Sequence, residues 1–523
     1  MSEHVTGFER DQVMLFPDTL DAYVDEENAV RFIDAFVDGL DLKKLGFKRV
    51  EPEETGRPSY DPSDLLKLYV YGYLNQVRTS RKLGRECCRN VELMWLMKKL
   101  TPDFRTIADF RKDNVDCIKL VFKEFVKLCR SLDLIGGELV GVDGVKLKAV
   151  NSKSRNFNQA KLEYRIRRLD LHIAEYLNEL EENDRKQEEE RGGDHHGRRA
   201  ADAVVAVTAS SQSGTVDEAR EYAMSEIEKL ESTKRLYERM QETLKESGQS
   251  EISLTDPESR LMKNNEKLEV CYSAQVAVDS KHHLIPEYYV TNEAVDSEQL
   301  ARISKAAKDS LGVGRLKVTA DMGFFNWQEI KNCLDDGITP YVPEIDRQSS
   351  HGFRRSVPEP DFYKGRFTYD GGADTYVCPT GKRLEFRRWN TDHTGKRNKM
   401  YWPDPGVCEV CPLRQRCTTG KRGRIVVRWE HEEVIEELRK RNKTIEGLML
   451  LKKRKELCEH PFGTLKRAFN QGYLLLKGLR KVNGEVGFTM LAYNMRRAIN
   501  ILGSRVLTAS LSMRTIKIDR PVI

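Results

Sequence analysis

Apolar positions at helical spacing open the chain. In DPSDLLKLYVYGYLNQVRTSRKLGRECCRN, Leu65, Leu66, Tyr69, Val70 and Tyr73 fall on one helical face behind Asp61 or Ser63 as N-cap. In TPDFRTIADFRKDNVDCIKLVFKEFVKLCRSLDLIGG, Thr106 precedes a short helix, and a long amphipathic helix then runs to Gly136 and Gly137. The pattern changes to that of a strand in ELVGVDGVKLKAV, residues 138–150, whose middle holds Asp143 where a buried strand would carry another valine. A charged stretch from Arg155 to about Glu251 is helical at its ends. Between them, residues 191–215 are polar and aperiodic; His195 and His196 there read as part of a solvated linker.

Strand signals return over residues 270–292, two apolar runs around a polar turn at 279–283, which predicts a hairpin. A helix at about 297–311 follows, then the strand RLKVTAD ending at Asp321, then a turn and a helix in MGFFNWQEIKNCLDDG. Short strands separated by Gly and Pro turns fill 341–435, and from Glu432 the pattern is helical to about Gly503. The expected division is an N-terminal helical domain (1–135), a first core strand (136–155), and a charged helical insertion with a flexible loop (156–255). The rest of a mixed α/β core (256–340), a β-rich insertion (341–435), basic core helices (436–505) and a tail (506–523) complete it.

Composition permits a sizeable core, since 39% of the 523 residues are hydrophobic. No run approaches the roughly 18 apolar residues of a membrane span, and the first residues lack the regions of a signal peptide, so a cytoplasmic protein is expected. The net charge of +6 conceals an asymmetry: residues 438–523 hold 19 Lys and Arg against 5 Asp and Glu. Such a basic segment suits a polyanion, most simply DNA or RNA, although a solvated helix surface fits the charge alone equally well.

Three acids then stand out: Asp143 inside the first core strand, Asp321 at a strand end, and Glu459 near the basic helices. A desolvated carboxylate in a core strand is costly unless paired or metal-bound. Gly144 leaves room beside Asp143, and a strand end is where α/β sheets place ligands. Converging, the three would hold two divalent cations about 3.5 to 4 Å apart for phosphodiester attack, with magnesium or manganese favoured by hard oxygen ligands. Singly, each acid reads as a cap or a salt bridge.

In this order, and with GVDGVKLKAVNSK, DPESRLM, YSAQVAVDSKHHLI, TADMGFFN, CPTGKRL, CEVCPLRQRC, EHPFGTLKR and LAYNMRR, the chain resembles the DDE transposases of bacterial insertion sequences, in particular the insertion sequence eleven-eighty-two family. The resemblance implies a ribonuclease-H-like, retroviral-integrase-like α/β core. It further implies Asp143, Asp321 and Glu459 as the catalytic, metal-binding triad for magnesium or manganese. The partner would be double-stranded DNA, both terminal inverted repeats and target, handled by a homodimer in the synaptic complex of a nucleoid-associated bacterial protein. A related signature places Tyr, Arg and Lys around the glutamate. Here Lys452 and Lys455 stand at the Tyr and Arg positions and Lys466 at the Lys position, so Lys452, Lys455, Lys466 and Arg467 are the expected phosphate contacts. Pro461 suits a first helical turn and would set Glu459 at a helix start. A nuclease that cuts without joining, and a catalytically inactive DNA-binding regulator, remain alternative readings.

Of 11 cysteines, Cys378, Cys408, Cys411 and Cys417 cluster in the β-rich insertion. One two-residue gap and four thiols among strands and turns point to a structural, zinc-ribbon-like site that would stabilise a segment too small for its own core. Phe324, Phe325 and Trp327 follow Asp321; one of them could stack on a flipped base, while core packing suits at least two.

Overall fold

The computed structural model describes residues 19–52, 58–192, 216–248, 250–264, 266–344, 358–392, 395–465, 469 and 472–518. The chain begins with six helices: α1 (Ala29–Asp38), α2 (Pro62–Leu74), α3 (Ser80–Glu86), α4 (Val91–Leu96), α5 (Phe104–Asp113) and α6 (Cys117–Ser131). Side chains of Asn28, Asp61, Thr79, Asn90 and Asp103 accept N–H bonds at the first five N-termini, satisfying donors that a helix leaves orphaned. Asp61, not Ser63, caps α2. The cap of α5 is Asp103, whose carboxylate takes the Arg105 N–H at 2.7 Å, so Thr106 lies inside the helix and not before it.

A six-stranded mixed sheet follows. β1 (Leu139–Lys148) is central, flanked antiparallel by β5 (Lys267–Asp279) and parallel by β7 (Leu316–Ala320). β7 pairs in parallel with β8 (Ile338–Tyr341), and β4 (Arg260–Asn264) and β6 (Glu287–Thr291) both pair with β5. The 270–292 hairpin is β5 and β6. Helices α9 (Leu300–Leu311) and α10 (Trp327–Asp335) connect the parallel strands, as parallel pairing requires.

Between β1 and β4 a ribbon of β2 (Asn156–Asn158) and β3 (Glu251–Ser253) carries two long helices, α7 (Gln159–Gly192) and α8 (Val216–Ser247). His195 and His196 lie outside the described residues. After β8 comes a separate antiparallel sheet of β9 (Thr368–Asp370), β10 (Thr375–Val377), β11 (Arg383–Thr391), β12 (Arg397–Trp402) and β13 (Val426–Trp429), with the short α11 (Arg414–Cys417). It has a small core of its own: Phe367, Tyr376, Leu384, Tyr401 and Val426.

The C-terminal part is helical: α12 (Glu432–Asn442), α13 (Ile445–Gly463), α14 (Leu479–Leu502) and α15 (Ser504–Ile518). Glu459 does not open a helix. α13 starts at Thr444, whose hydroxyl caps the Gly447 N–H at 3.0 Å, and the good helix formers of LLKKRKEL carry it on to place Glu459 in its last turns, with Pro461 inside. α14 joins the two ends of the chain. Phe488 stacks on Tyr69 and Tyr73 of α2 at 5.2 and 5.0 Å, within one apolar cluster that also contains the sheet.

At Gly484 of α14 a β-carbon would meet the Val115 carbonyl oxygen at 2.8 Å, closer than real contacts allow. Gly484→Ala should therefore lower the unfolding free energy by about 1 to 3 kcal/mol in chemical denaturation, despite the better helix propensity of alanine.

Candidate active site

The register of β1 and β7 brings two carboxylates together. Val142 pairs with Ala320, the last residue of β7, so Asp143 and Asp321, one step further, stand side by side where β7 ends and β1 continues. Asp321 turns its side chain onto its own backbone, taking the Gly323 N–H at 2.8 Å and capping a short 3-10 turn over Met322–Phe324. Phe324 and Phe325 are buried core residues. Trp327 packs edge-on against Trp429 with centroids 5.9 Å apart, and Lys396 lies 4.0 Å over its ring.

Asp143 accepts the Gly144 N–H at 2.8 Å and an Arg454 Nη1–H at 3.1 Å. Burial pushes its carboxyl up to about 6; the negative charges of Asp321 and Asp296 act in the same direction, and the Gly144 N–H and Arg454 oppose them. Arg454 was not singled out from the sequence, where it is one base in a basic run. Its signal is helical spacing: four residues before Cys458, it shares the face of α13 that meets the sheet.

That face approaches β1 closely. A β-carbon at Gly141 would lie 3.1 Å from Leu457 Cβ and Cys458 Sγ, so the glycine lets the helix pack closely without displacing these side chains. Asp296, also missed, sits against Gly144 from the other direction, held by Lys146 at 3.0 Å and Gln275 Nε2 at 2.6 Å. It sits in the turn ahead of α9, with no periodic pattern to reveal it.

Glu459 neighbours Cys458 but is turned aside. Its side chain is 66% exposed, and its nearest cation is Lys455 at 3.8 Å, one turn back on the same helix. Lys452 and Lys455 are exposed on this outer face; Lys466 and Arg467 lie outside the described residues. Among the described residues, no three His, Cys, Asp or Glu side chains are close enough together to hold a metal ion. The structure thus brings Asp143 and Asp321 together and leaves Glu459 at the flank.

The four clustered cysteines line one pocket of about 30 Å³ with Phe362, Leu384 and Arg424. Cys378 sits in the turn after β10 and accepts the Lys382 N–H at 3.3 Å; Cys408 and Cys411 lie in the loop before α11, and Cys417 ends it. Burial pushes the Cys417 thiol up, and the charges of the other three, were they thiolates, would add to that. They face a common space without forming a closed tetrahedral set.

Comparison with known families adds two matches. Residues 18–113 match a family described as a transposase domain, and residues 377–499 match one described as a transposase DDE domain. The second includes Glu459, the four cysteines and Arg454; Asp143 and Asp321 lie outside both. No curated protein matches the chain. Among the described residues, no helix is long and apolar enough to cross a membrane.

A folded-state carboxyl near 6, against about 3.8 when unfolded, binds its proton more tightly in the fold. Its stabilising contribution is therefore present below pH 4 and is lost as pH rises through 6. In metal-free protein, Asp143→Asn should raise the unfolding free energy by about 1 to 2 kcal/mol at pH 8 and make no difference at pH 4. A variant less stable than wild type at pH 8 would mean that the Arg454 contact outweighs burial.

Proposed function

The chain is a DDE transposase of the insertion-sequence type, and on that premise we propose that Asp143, Asp321 and Glu459 are the acids that hold its divalent metal. The observation that carries this reading is the position of Asp143 and Asp321, each one residue beyond the last β1–β7 pair, Val142 with Ala320. Strand order supports it. Read β6-β5-β1-β7-β8, the sheet has one antiparallel and one parallel neighbour on either side of β1, the arrangement of a ribonuclease-H-like core.

Transposases of this class act on DNA and depend on a divalent metal. Hard carboxylate oxygens suit magnesium or manganese, which when bound lowers the pKa of an attacking water or 3′-hydroxyl and stabilises the leaving oxygen. The residues fit that role in stages. Asp143 and Asp321 form the fixed part of the site, rigidly mounted on the sheet. Arg454 occupies the cationic position beside Asp143 and must release it, and Glu459 must leave Lys455 to complete the set. Lys452, Lys455, Lys466 and Arg467 supply phosphate contacts.

The N-terminal helices recognise terminal inverted repeats, and two copies pair two element ends for transfer into target DNA, which places the protein at the bacterial nucleoid. Membership of the insertion sequence eleven-eighty-two family fits the motifs quoted above. In the β-rich insertion, Cys378, Cys408, Cys411 and Cys417 bind a structural zinc; their shared pocket supports this.

A strand-transfer assay on a terminal-repeat oligonucleotide with magnesium tests the chemistry. Wild type should yield joined product. Asp143→Ala and Asp321→Ala should each lose about a thousandfold or more in joining while binding DNA as before. Cleavage without joining would favour a nuclease, and unaffected joining in either variant would remove that acid from the site. For the cysteines, elemental analysis should find one zinc per chain, lost with a lowered melting temperature in Cys408→Ser; a metal-free wild type of equal stability contradicts it.

A further inference from the structure

On the face of β1 turned away from α13 lies a polar cluster with no part in the metal chemistry above. Side chains alternate along a strand, so Asp143 meets Arg454 of α13 while Gly144 and Lys146 face the other way. In register with them on β5 stand Gln275, opposite Gly144, and Ser273, opposite Lys146. Both are fully buried. Asp296 reaches this face from the turn ahead of α9, a turn closed by its own carbonyl accepting the Gln299 N–H at 3.1 Å. Lys146 Nζ donates to the Ser273 hydroxyl at 2.8 Å and to the Asp296 carboxylate at 3.0 and 3.3 Å. Gln275 Nε2 donates to Asp296 at 2.6 Å and to Ser273 at 3.0 Å. Four side chains from three elements thus form one connected set.

Stability alone does not account for the set, because well-packed apolar side chains in place of a buried ion pair are often neutral or stabilising. Its effect is to hold a carboxylate against the backbone at the residue after Asp143. A β-carbon at Gly144 would lie 2.9 Å from Asp296 Oδ1 and 3.0 Å from Gln275 Nε2, so alanine there would displace the carboxylate. The same glycine gives its N–H to Asp143 Oδ1 at 2.8 Å. One peptide is therefore backed by Asp296 and orients the Asp143 carboxylate in front. We propose that Asp296, held by Lys146 and Gln275, is a positioning residue: it fixes β1 at Gly144 and through it the direction in which Asp143 presents its oxygens to metal. This rests on Asp143 as a metal ligand; Asp296 itself touches neither metal nor DNA.

Strand transfer by the full chain, titrated with manganese at saturating DNA, is the test. Asp296→Ala should raise the manganese concentration for half-maximal joining about tenfold and lower the saturated rate, with the DNA concentration for half-maximal rate as in wild type. Gly144→Ala removes no polar group yet displaces the same carboxylate, so it should reproduce the shift. The double variant should be no worse than the poorer single one. Thermal melting checks the fold; where Asp296→Ala melts below the assay temperature, Asp296→Asn, which keeps an acceptor for Gln275, should show a smaller shift in the same direction. A cluster that only holds the fold together would lower the melting temperature and the amount of active protein but leave the manganese midpoint unmoved. That result, or single effects that simply add, overturns the inference. Joining left intact in Asp143→Ala would instead overturn the metal-ligand reading beneath it, and this inference with it.

Discussion

Two carboxylates on adjoining strands are the constraint to which the rest of the site answers. Asp143 is half-buried, Asp321 stands beside it, and the repulsion between them adds to the desolvation that already disfavours an ionised Asp143. A fold selected for stability alone would place valine at 143, as the neighbouring Val142 and Val145 show. The Gly144 N–H and the Arg454 guanidinium offset part of the repulsion, leaving a pair that still favours added positive charge. On the proposed reading that charge is a divalent metal, and the sheet supplies the rigidity that a metal site on loops would lack.

α13 links this pair to the rest of the molecule. One helix carries Arg454 on the face against β1, Cys458 against Gly141, and Glu459 with Lys455 on the outer flank. Its position is tied to the core elsewhere, by the Lys317–Glu446 ion pair and the Thr319 hydroxyl on the Leu450 carbonyl. The N-terminal helices are also tied to the C-terminal part. Buried Glu485 of α14 accepts the Leu475 and Leu476 N–H groups and faces Arg78, 3.6 Å away, from the α2–α3 connection. The N-terminal helices and the mixed sheet share one apolar cluster.

Much of this was legible in the chain. Alternating apolar runs identified β1, the β5–β6 hairpin and β7, because a strand buried in a sheet leaves a local pattern. Asp143 stands out as a polar residue where that pattern predicts an apolar one, and Asp321 as an acid at a strand end. The N-terminal limit of α13 was not. Pro461 reads as a helix start, yet Thr444 and a run of good helix formers begin the helix much earlier, and a proline near the end removes little hydrogen bonding. Arg454 and Asp296 were missed for a different reason: their roles come from register and helix placement, contacts between residues 311 or 150 positions apart that no local spacing encodes. The Trp327–Trp429 contact, which joins the β-rich insertion to the core, is of the same kind.

On the proposed reading, Asp143, Asp321 and Glu459 converge on the metal although Glu459 rests at the flank. Iron(II) loaded in place of magnesium on the DNA complex, with peroxide and ascorbate, cuts the backbone wherever a ligand lies within reach of hydroxyl radicals. Cuts are expected to cluster at all three positions, near residues 143, 321 and 459, and to be suppressed by excess magnesium. Cuts near 143 and 321 with none near 459, in protein that performs strand transfer, would contradict it.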